Sequence, residues 1–360
     1  MRPAPKAQRK RDNKKEDTTM NITRRSFLGA TSLFSMAVLA GCAGGGSGSA
    51  SSGSASASSS ASSSVSRSAA NMPLVIGTLA TEDLLPLWAA EKDGLYDQHG
   101  VKATITPFQS ATELIAGVAS GEVDLAMTDI MVTASMFAGG VDVQMEWVTL
   151  GTTADQGRFG IMVGPDSKIT SLTELADVPI GVGSNTILEY VMDKLMEAAG
   201  VPDNQIKVEE LQKLPVRYQA MASGEVAAAA LPGTLLALGE ANKCKLIADD
   251  TQGENLSQSV MIVRSDVLSA SGRPEQIENL KAVWNEAAAN INKDPEAYRK
   301  VLVENANLPA EIADTYPIST YPTVQLPTSA MVDPVLAWMQ QKGYLTQHLT
   351  YDEKTGAFAK

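Results

Sequence analysis

The sequence predicts an α/β protein of two similar lobes, each a mainly parallel sheet flanked by helices, with a ligand cleft between them. Three observations predict it. The phrase ASGEVDLAMTD at 119–129 is echoed by ASGEVAAAALPG at 222–233, which sets Gly121 and Gly224 103 positions apart. The echo extends backwards at nearly constant offset: Ile76-Gly77 is answered by Ile180-Gly181, Gly100-Val101 by Gly200-Val201, and Gln109 by Gln212. Between the echoes, each half alternates short apolar runs with segments of helical spacing, and tandem β-α-β units of that kind close into open parallel sheets.

Taken in order, the first half offers strands at 75–79, 101–108 and 123–127, and the second at 180–182, 206–211 and 226–231. The helices between them show matching periods and stops. Leu84, Leu85, Trp88 and Leu95 recur at helical intervals before Gly100, and Ile187, Val191, Leu195 and Ala198 do so before Gly200. Gly121 and Gly224 sit where a helix ends in a left-handed cap before the next strand. Further on, Ile277, Leu280, Trp284, Ala287 and Ile291 trace one buried stripe, and Pro274 suits the first turn of that helix. Tyr316-Pro317 and Tyr321-Pro322 mark an extended loop. A last helix is expected from Asp333-Pro334 to Lys342, stopped by Gly343, with this C-terminal region packed back on the first lobe.

The front of the chain reads differently. Residues 1–19 are basic and unpatterned, and Met20 is the expected start. Paired Arg24-Arg25, an apolar run over 26–41 and the sequence Leu39-Ala40-Gly41-Cys42 form a leader of signal-peptide length, too short for a stable span. The small residues before a cut and the thiol that takes the lipid resemble a bacterial lipobox, which makes 1–41 a twin-arginine lipoprotein signal and Cys42 the lipidated residue. The Gly/Ser/Ala segment that follows has too little apolar surface to offset chain entropy. As a tether over 43–71 it reaches roughly 30 Å. The expected organisation is therefore 1–41 signal and extension, 42–71 anchor and tether, 72–160 with 264–360 as lobe 1, and 161–263 as lobe 2, with crossings near 160–163 and 260–263. The protein is expected at the extracytoplasmic face of the membrane, as a monomer.

Charge excludes one class of partner. The chain has 29 basic and 41 acidic residues; 1–41 hold 9 and 3 of these, leaving 20 against 38. Such a balance argues against nucleic acid. With Cys42 lipidated, Cys244 has no partner, so neither a disulfide framework nor a cysteine metal cluster is expected. No cofactor is expected either.

Sheets of this type bind ligands beyond the carboxyl ends of their strands. Those ends nominate Thr81, Glu82, Asp83, Gln109, Ser110, Thr128 and Asp129 on lobe 1, and Ser184, Asn185, Thr186, Pro232 and Thr234 on lobe 2. The basic candidates Lys213, Arg217 and Arg158 read as surface groups. Carboxylates at these positions suit an amine or the N–H groups of a heterocycle better than an anion. Trp88 and Tyr190 can stack on a ring, but their helical spacing points to core packing.

Signal, lipobox, tether and lobes together resemble an ABC-transporter substrate-binding lipoprotein. LPLWAAEKDGLYDQHGVKATITPF followed by ATELIAGVASGEVDLAMTD is similar to the branch that joins aliphatic-sulfonate, taurine and nitrate binders to thiamine-pyrimidine-precursor proteins. Ala90, Gly94-Leu95-Tyr96 and Gly100-Val101 carry the first phrase, and residues 120–126 the second. The resemblance implies a type II periplasmic-binding-protein-like fold that closes on ligand, a permease and an ATPase as partners, and a small amine-bearing or heterocyclic solute such as a thiamine pyrimidine precursor. Sulfonate, taurine or nitrate binding and a ligand-sensing lipoprotein are the alternatives. An enzyme is not expected: His99 and His348 are the only histidines, far apart and away from the strand ends, and Thr186 replaces the third glycine of a dinucleotide fingerprint.

Overall fold

The computed structural model describes residues 72–360. The signal, the lipobox with Cys42 and the tether expected over 1–71 lie outside the described residues. The first half of the described chain runs β1 (Leu74–Leu79), α1 (Leu85–Asp93), α2 (Leu95–Gln98), β2 (Ala103–Phe108), α3 (Ala111–Ser120), β3 (Leu125–Asp129), α4 (Ile130–Ala138) and β4 (Val143–Leu150). The second runs β5 (Phe159–Val163), β6 (Pro179–Val182), α5 (Ile187–Ala198), β7 (Lys207–Glu210), α6 (Leu214–Ser223), β8 (Ala228–Pro232), α7 (Gly233–Ala241) and β9 (Lys245–Asp249). The chain then returns through β10 (Ser259–Arg264), α8 (Ser265–Ser269), α9 (Arg273–Lys293), α10 (Arg299–Asn305), α11 (Ser329–Gln341), β11 (Thr350–Asp352) and β12 (Ala357–Ala359).

The two sheets have one plan. Lobe 1 orders its strands β2-β1-β3-β10-β4, with β12 and β11 added beyond β4, and lobe 2 orders them β7-β6-β8-β5-β9. In each, the first three strands are parallel. The strand inserted fourth is antiparallel to both neighbours, because it enters from the other lobe. The parallel part is thus the repeated β-α-β-α-β unit, and the crossing strand makes each sheet mixed.

That topology corrects the expected hinges. Residues 160–163 and 260–263 belong to β5 and β10, which are buried in mid-sheet. Helices on both faces demand apolar side chains on both, so the runs FGIMV and SVMIVR are core strands and not connectors. The chain crosses instead at 151–158, GTTADQGR, and at 250–258, DTQGENLSQ. Both are polar and contain glycine. Lobe 1 consequently holds 74–150 and 259–359, and lobe 2 holds 159–249.

The echo in sequence is an echo in register. Gly77 pairs with Thr106 and Ala126, and Gly181 with Glu209 and Ala229, the last two lying 103 positions beyond their counterparts. At both glycines a side chain lies close over the strand: a Cβ on Gly77 would meet Leu114 Cδ1 of α3 at 2.5 Å, and one on Gly181 would meet Leu211 Cδ1, from the loop between β7 and α6, at 3.1 Å. Gly121 and Gly224 take φ of +83° and +77° and close α3 and α6 in the same way. The next amides complete each cap, Glu122 N donating to Gly117 O at 3.1 Å and Glu225 N to Ala220 O at 2.8 Å.

The C-terminal region closes the core. Ile277, Leu280, Trp284, Ala287 and Ile291 are fully buried where α9 packs on α1. Trp88 and Tyr190 are buried in the core, as their spacing implies. The last helix starts at Ser329, earlier than expected, and contains Pro334. The N–H that Pro334 lacks would face the carbonyl of Ala330, an exposed residue. This helix does not keep to lobe 1. Besides packing on α4, it reaches α5, where Trp338 Nε1 donates to Asp193 at 2.9 Å and Lys342 pairs with Asp193 at 2.9 Å and Glu189 at 3.3 Å.

Candidate functional site

The carboxyl ends of β1, β2 and β3 face those of β6, β7 and β8 across a closed cleft. A cavity of about 50 Å³ lies between them. Thr81, Asp83, Ser110, Thr128 and Asp129 line it from lobe 1, and Thr186 and Pro232 from lobe 2. Five expected residues do not. Glu82 and Thr234 line a smaller adjoining cavity of about 10 Å³, which shares Thr81, Asp83, Phe159 and Pro232 with the first. Gln109 turns its side chain to an outer groove, and its carbonyl accepts Leu214 N at 3.3 Å. Ser184 donates to Glu210, and Asn185, in the left-handed region at φ +58°, donates to Ser135 Oγ at 2.6 Å. Short polar side chains at a strand end serve helix starts and the lobe contact as readily as a ligand.

Several residues of the site were not nominated. Phe159, Ile187, Leu188 and Leu214 give the cavity apolar walls, and Ser259 joins from the start of β10. The most consequential is Arg217, one of the three basic candidates read as surface. It is 2 % exposed and lines the cavity. Its position has a signal in the sequence, since Leu214, Arg217, Tyr218 and Met221 share the buried face of α6. Its guanidinium donates to the carbonyls of Leu211 at 2.8 Å, Ala230 at 3.1 Å and Gln212 at 3.2 Å. Among the described residues no carboxylate forms an ion pair with it, whereas Lys213 pairs with Glu113 at 2.8 Å and Arg158 with Asp249 at 2.7 Å. Burial lowers its pKa to about 10, so it stays cationic at neutral pH.

The two walls have opposite polarity. In lobe 1 the helices after β2 and β3 are capped by their own residues: Ser110 Oγ accepts Glu113 N at 3.2 Å and Asp129 Oδ1 accepts Val132 N at 2.7 Å. In lobe 2 the equivalent positions are Lys213 and Pro232, and neither caps α6 or α7 with its side chain. The first turn of α7 therefore retains donor capacity, whereas α6 has Pro215 in its first turn and gives its Leu214 amide to Gln109. Lobe 1 contributes acceptors. Asp83 accepts Ser259 Oγ at 2.5 Å, and Asp129 Oδ2 reaches across to accept Ile187 N at 3.1 Å. Burial pushes Asp129 up to about 6, against the pull of those amides, which leaves it ionised at pH 7.

His99 bonds Glu286 on the outer surface and His348 bonds Gln340, so no histidine serves Ser110 or Ser259. Among the described residues no group of histidine, cysteine and carboxylate side chains is arranged to hold a metal ion.

Comparison with known proteins agrees with this architecture. The alkanesulfonate-binding protein SsuA of Xanthomonas axonopodis pv. citri, bound to MOPS, is 19 % identical with a TM-score of 0.65 over 76 % of this chain and 94 % of its own. A ligand-binding component of an ABC-type import system from Staphylococcus aureus, with zinc bound, is 14 % identical with a TM-score of 0.65 over 76 % and 92 %. The desulfurization enzyme DSZB is 15 % identical with a TM-score of 0.57 over 76 % and 93 %. No curated protein matches the sequence. The fold is thus that of the periplasmic binding proteins, on which both binding proteins and an enzyme are built. The sequence matches the NMT1/THI5 like family over residues 81–298, and the chain belongs to that family.

Proposed function

We propose that the protein is the solute-binding component of an ABC importer, anchored through Cys42 at the extracytoplasmic face of the membrane. It works as a monomer, with a permease and an ATPase as partners. The lobes close on one compact solute that bears an amine or N–H donor at one end and an anionic group at the other. The observation that carries this reading is the opposed polarity of the cleft, with Arg217, which has no carboxylate partner, and the uncapped α7 on one side and Asp83 and Asp129 on the other. A carboxylate-lined cleft suits an amine, but a buried guanidinium without a carboxylate suits an anion. A zwitterion with a short apolar middle meets both, and the apolar walls at Phe159, Ile187 and Leu214 accept that middle. Size supports a compact solute over a substituted pyrimidine: at roughly 10–15 Å³ per water-sized group, the closed cavity admits only a few. The likeness to an alkanesulfonate-binding protein and to an ABC import component supports the same role.

The test is a thermal-shift and calorimetric comparison of taurine, ethanesulfonate, nitrate, ethylamine and an aminomethylpyrimidine. A solute that binds only the folded protein raises its stability by about 2.7 kcal/mol at a hundred times Kd. Taurine is expected to stabilise most, with the effect lost in Arg217→Gln and weakened in Asp83→Asn. Equal binding of ethylamine would restore the amine-only account, and binding of the pyrimidine alone would return the ligand to the heterocycles.

A further inference from the structure

Glu82 is the one carboxyl group of the cleft that the binding reading does not use. It lies just before α1 in lobe 1, is 5 % exposed, and is buried by the other lobe as well as its own. Its Oε1 accepts the Tyr316 hydroxyl at 2.8 Å, and its carbonyl accepts the Tyr321 hydroxyl at 2.8 Å. Its Oε2 has no partner. Across the lobe boundary, Thr234 Oγ1 in the first turn of α7 is likewise buried and unpartnered, and both side chains line the cavity of about 10 Å³. Gly233 lies so close that a Cβ there would stand 2.8 Å from Glu82 Oε1. Among the described residues no cation forms an ion pair with this carboxyl: Arg158, the basic group near it, is engaged by Glu240 and Asp249.

We propose that closing the lobes over Glu82 takes up one proton, so that solute capture by this protein is proton-linked. The proposal rests on the reading of the protein as a binder whose lobes open and close. In the closed form an ionised Glu82 would be buried against lobe 2 with a bare oxygen; protonated, it carries no charge into that boundary. When the lobes part about 151–158 and 250–258, Thr234 and Gly233 withdraw and water solvates the carboxylate. The groups that face Glu82 act in both directions. Burial and neighbouring Asp83 raise its pKa, and the hydroxyls of Tyr316 and Ser319 and the more distant Arg158 lower it; the net is a rise to about 8 in the closed form. The open form returns towards the ordinary value of 4.5.

For a group whose closed-state pKa is raised, the closed form is fully favoured below the open-state pKa, and the advantage is lost as pH rises through the closed-state value. Closure therefore weakens between the ordinary carboxyl range and about pH 8, by roughly tenfold per pH unit for one proton. Asp129 and Asp250 are also raised, but only to about 6, so above pH 6 the linkage belongs to Glu82.

The experiment is small-angle scattering of the full chain between pH 6 and 8.5, for the native protein and Glu82→Gln, with infrared spectra of both. The native protein is expected to open as pH rises, while Glu82→Gln, neutral throughout, stays closed over the same range. The infrared band of a protonated carboxyl group is expected at pH 7 in the native protein and absent from Glu82→Gln; its absence from both would overturn the proposal. Opening that is identical in the two proteins would overturn the proposal and leave the binding reading standing. A scattering curve fixed at every pH in both would overturn the proposal and the closing-lobe reading together. Should Glu82→Gln misfold, Tyr316→Phe, which removes the hydroxyl that donates to Oε1 and favours the ionised form, is expected to open at higher pH than the native protein; an unshifted transition would overturn the proposal.

Discussion

Gly233 offers a direct handle on closure. Its counterpart in lobe 1, 103 positions earlier, is Ile130, so the lobes share a plan here but not a residue. The reason lies across the boundary. A Cβ on Gly233 would lie 2.7 Å from the Tyr316 hydroxyl, 2.8 Å from Glu82 Oε1 and 3.3 Å from the carbonyl of Arg158. In Gly233→Ala the first two atoms must retreat by several tenths of an ångström, which strains the hydrogen bond between them. Overpacking of this kind costs about 1–3 kcal/mol, and the lost bond adds about 1 kcal/mol. Two of the three crowded groups belong to the opposite wall, so most of the cost falls on the closed form. At about 2–4 kcal/mol in all, the closed population should fall roughly 30- to 900-fold, and the Kd of any captured solute should rise by the same factor. In the open form alanine is a better helix residue than glycine, so the melting temperature should not fall in proportion. Scattering and calorimetry with taurine, beside a thermal melt, provide the assay. An alanine variant as closed as the native protein, with unchanged affinity, would refute the argument that Gly233 is set by lobe closure.

Three further outcomes follow from the same geometry. Gly121→Ala and Gly224→Ala each force a left-handed residue at about 1–2 kcal/mol, and Gly121→Ala should melt lower because its Cβ would stand 3.0 Å from Arg264 Nη1, whereas nothing lies within 4 Å of the other. Trp338→Ala removes a ring 5.3 Å from Tyr190 and the donor to Asp193, so a urea titration should show a loss of about 3–5 kcal/mol. Asp129 and Asp250, each held near 6 by burial, contribute stability that is full below their ordinary value of 3.8 and is lost as pH rises through 6. A melt series in Asp129→Asn should therefore show a flatter slope between pH 4 and 6 than the native protein; an equal slope would contradict the assignment.

How much of this was legible depended on whether a signal was local. The repeated unit could be read because its causes sit within a few residues: a glycine in the first strand, another where the helix ends, and a period between them. The crossings could not be read from apolarity alone. A five-residue run such as FGIMV looks alike as a connector and as a strand buried on both faces, and only pairing with β8 and β9 decides between them. Polar GTTADQGR and DTQGENLSQ carried the better signal. Position along the chain, not chemistry, hid Ser259, which reaches the cleft only because β10 returns into the first sheet.

The cleft shows why residue type misled where register did not. Glu82 and Asp83 are adjacent and equally acidic, and the sequence offers no reason to separate them. The fold does: Asp83 meets Ser259 in the cavity, whereas Glu82 turns towards Tyr316 and lobe 2. On the proposed reading, one carboxyl serves the solute and the other the closing surface. Arg217 is the converse case, a cation nominated and then set aside because charge suggested surface. Its three carbonyl partners satisfy the guanidinium's hydrogen bonds without cancelling its charge. On the proposed reading this charge awaits the solute's anionic end, and Arg217→Lys tests that directly. Lysine keeps the charge but cannot hold three carbonyls in the plane of a guanidinium. If Arg217 only props the strand ends, taurine affinity and melting temperature should fall together. If it receives the solute's anionic end, affinity should fall more than tenfold while ethylamine, which lacks that end, is unaffected.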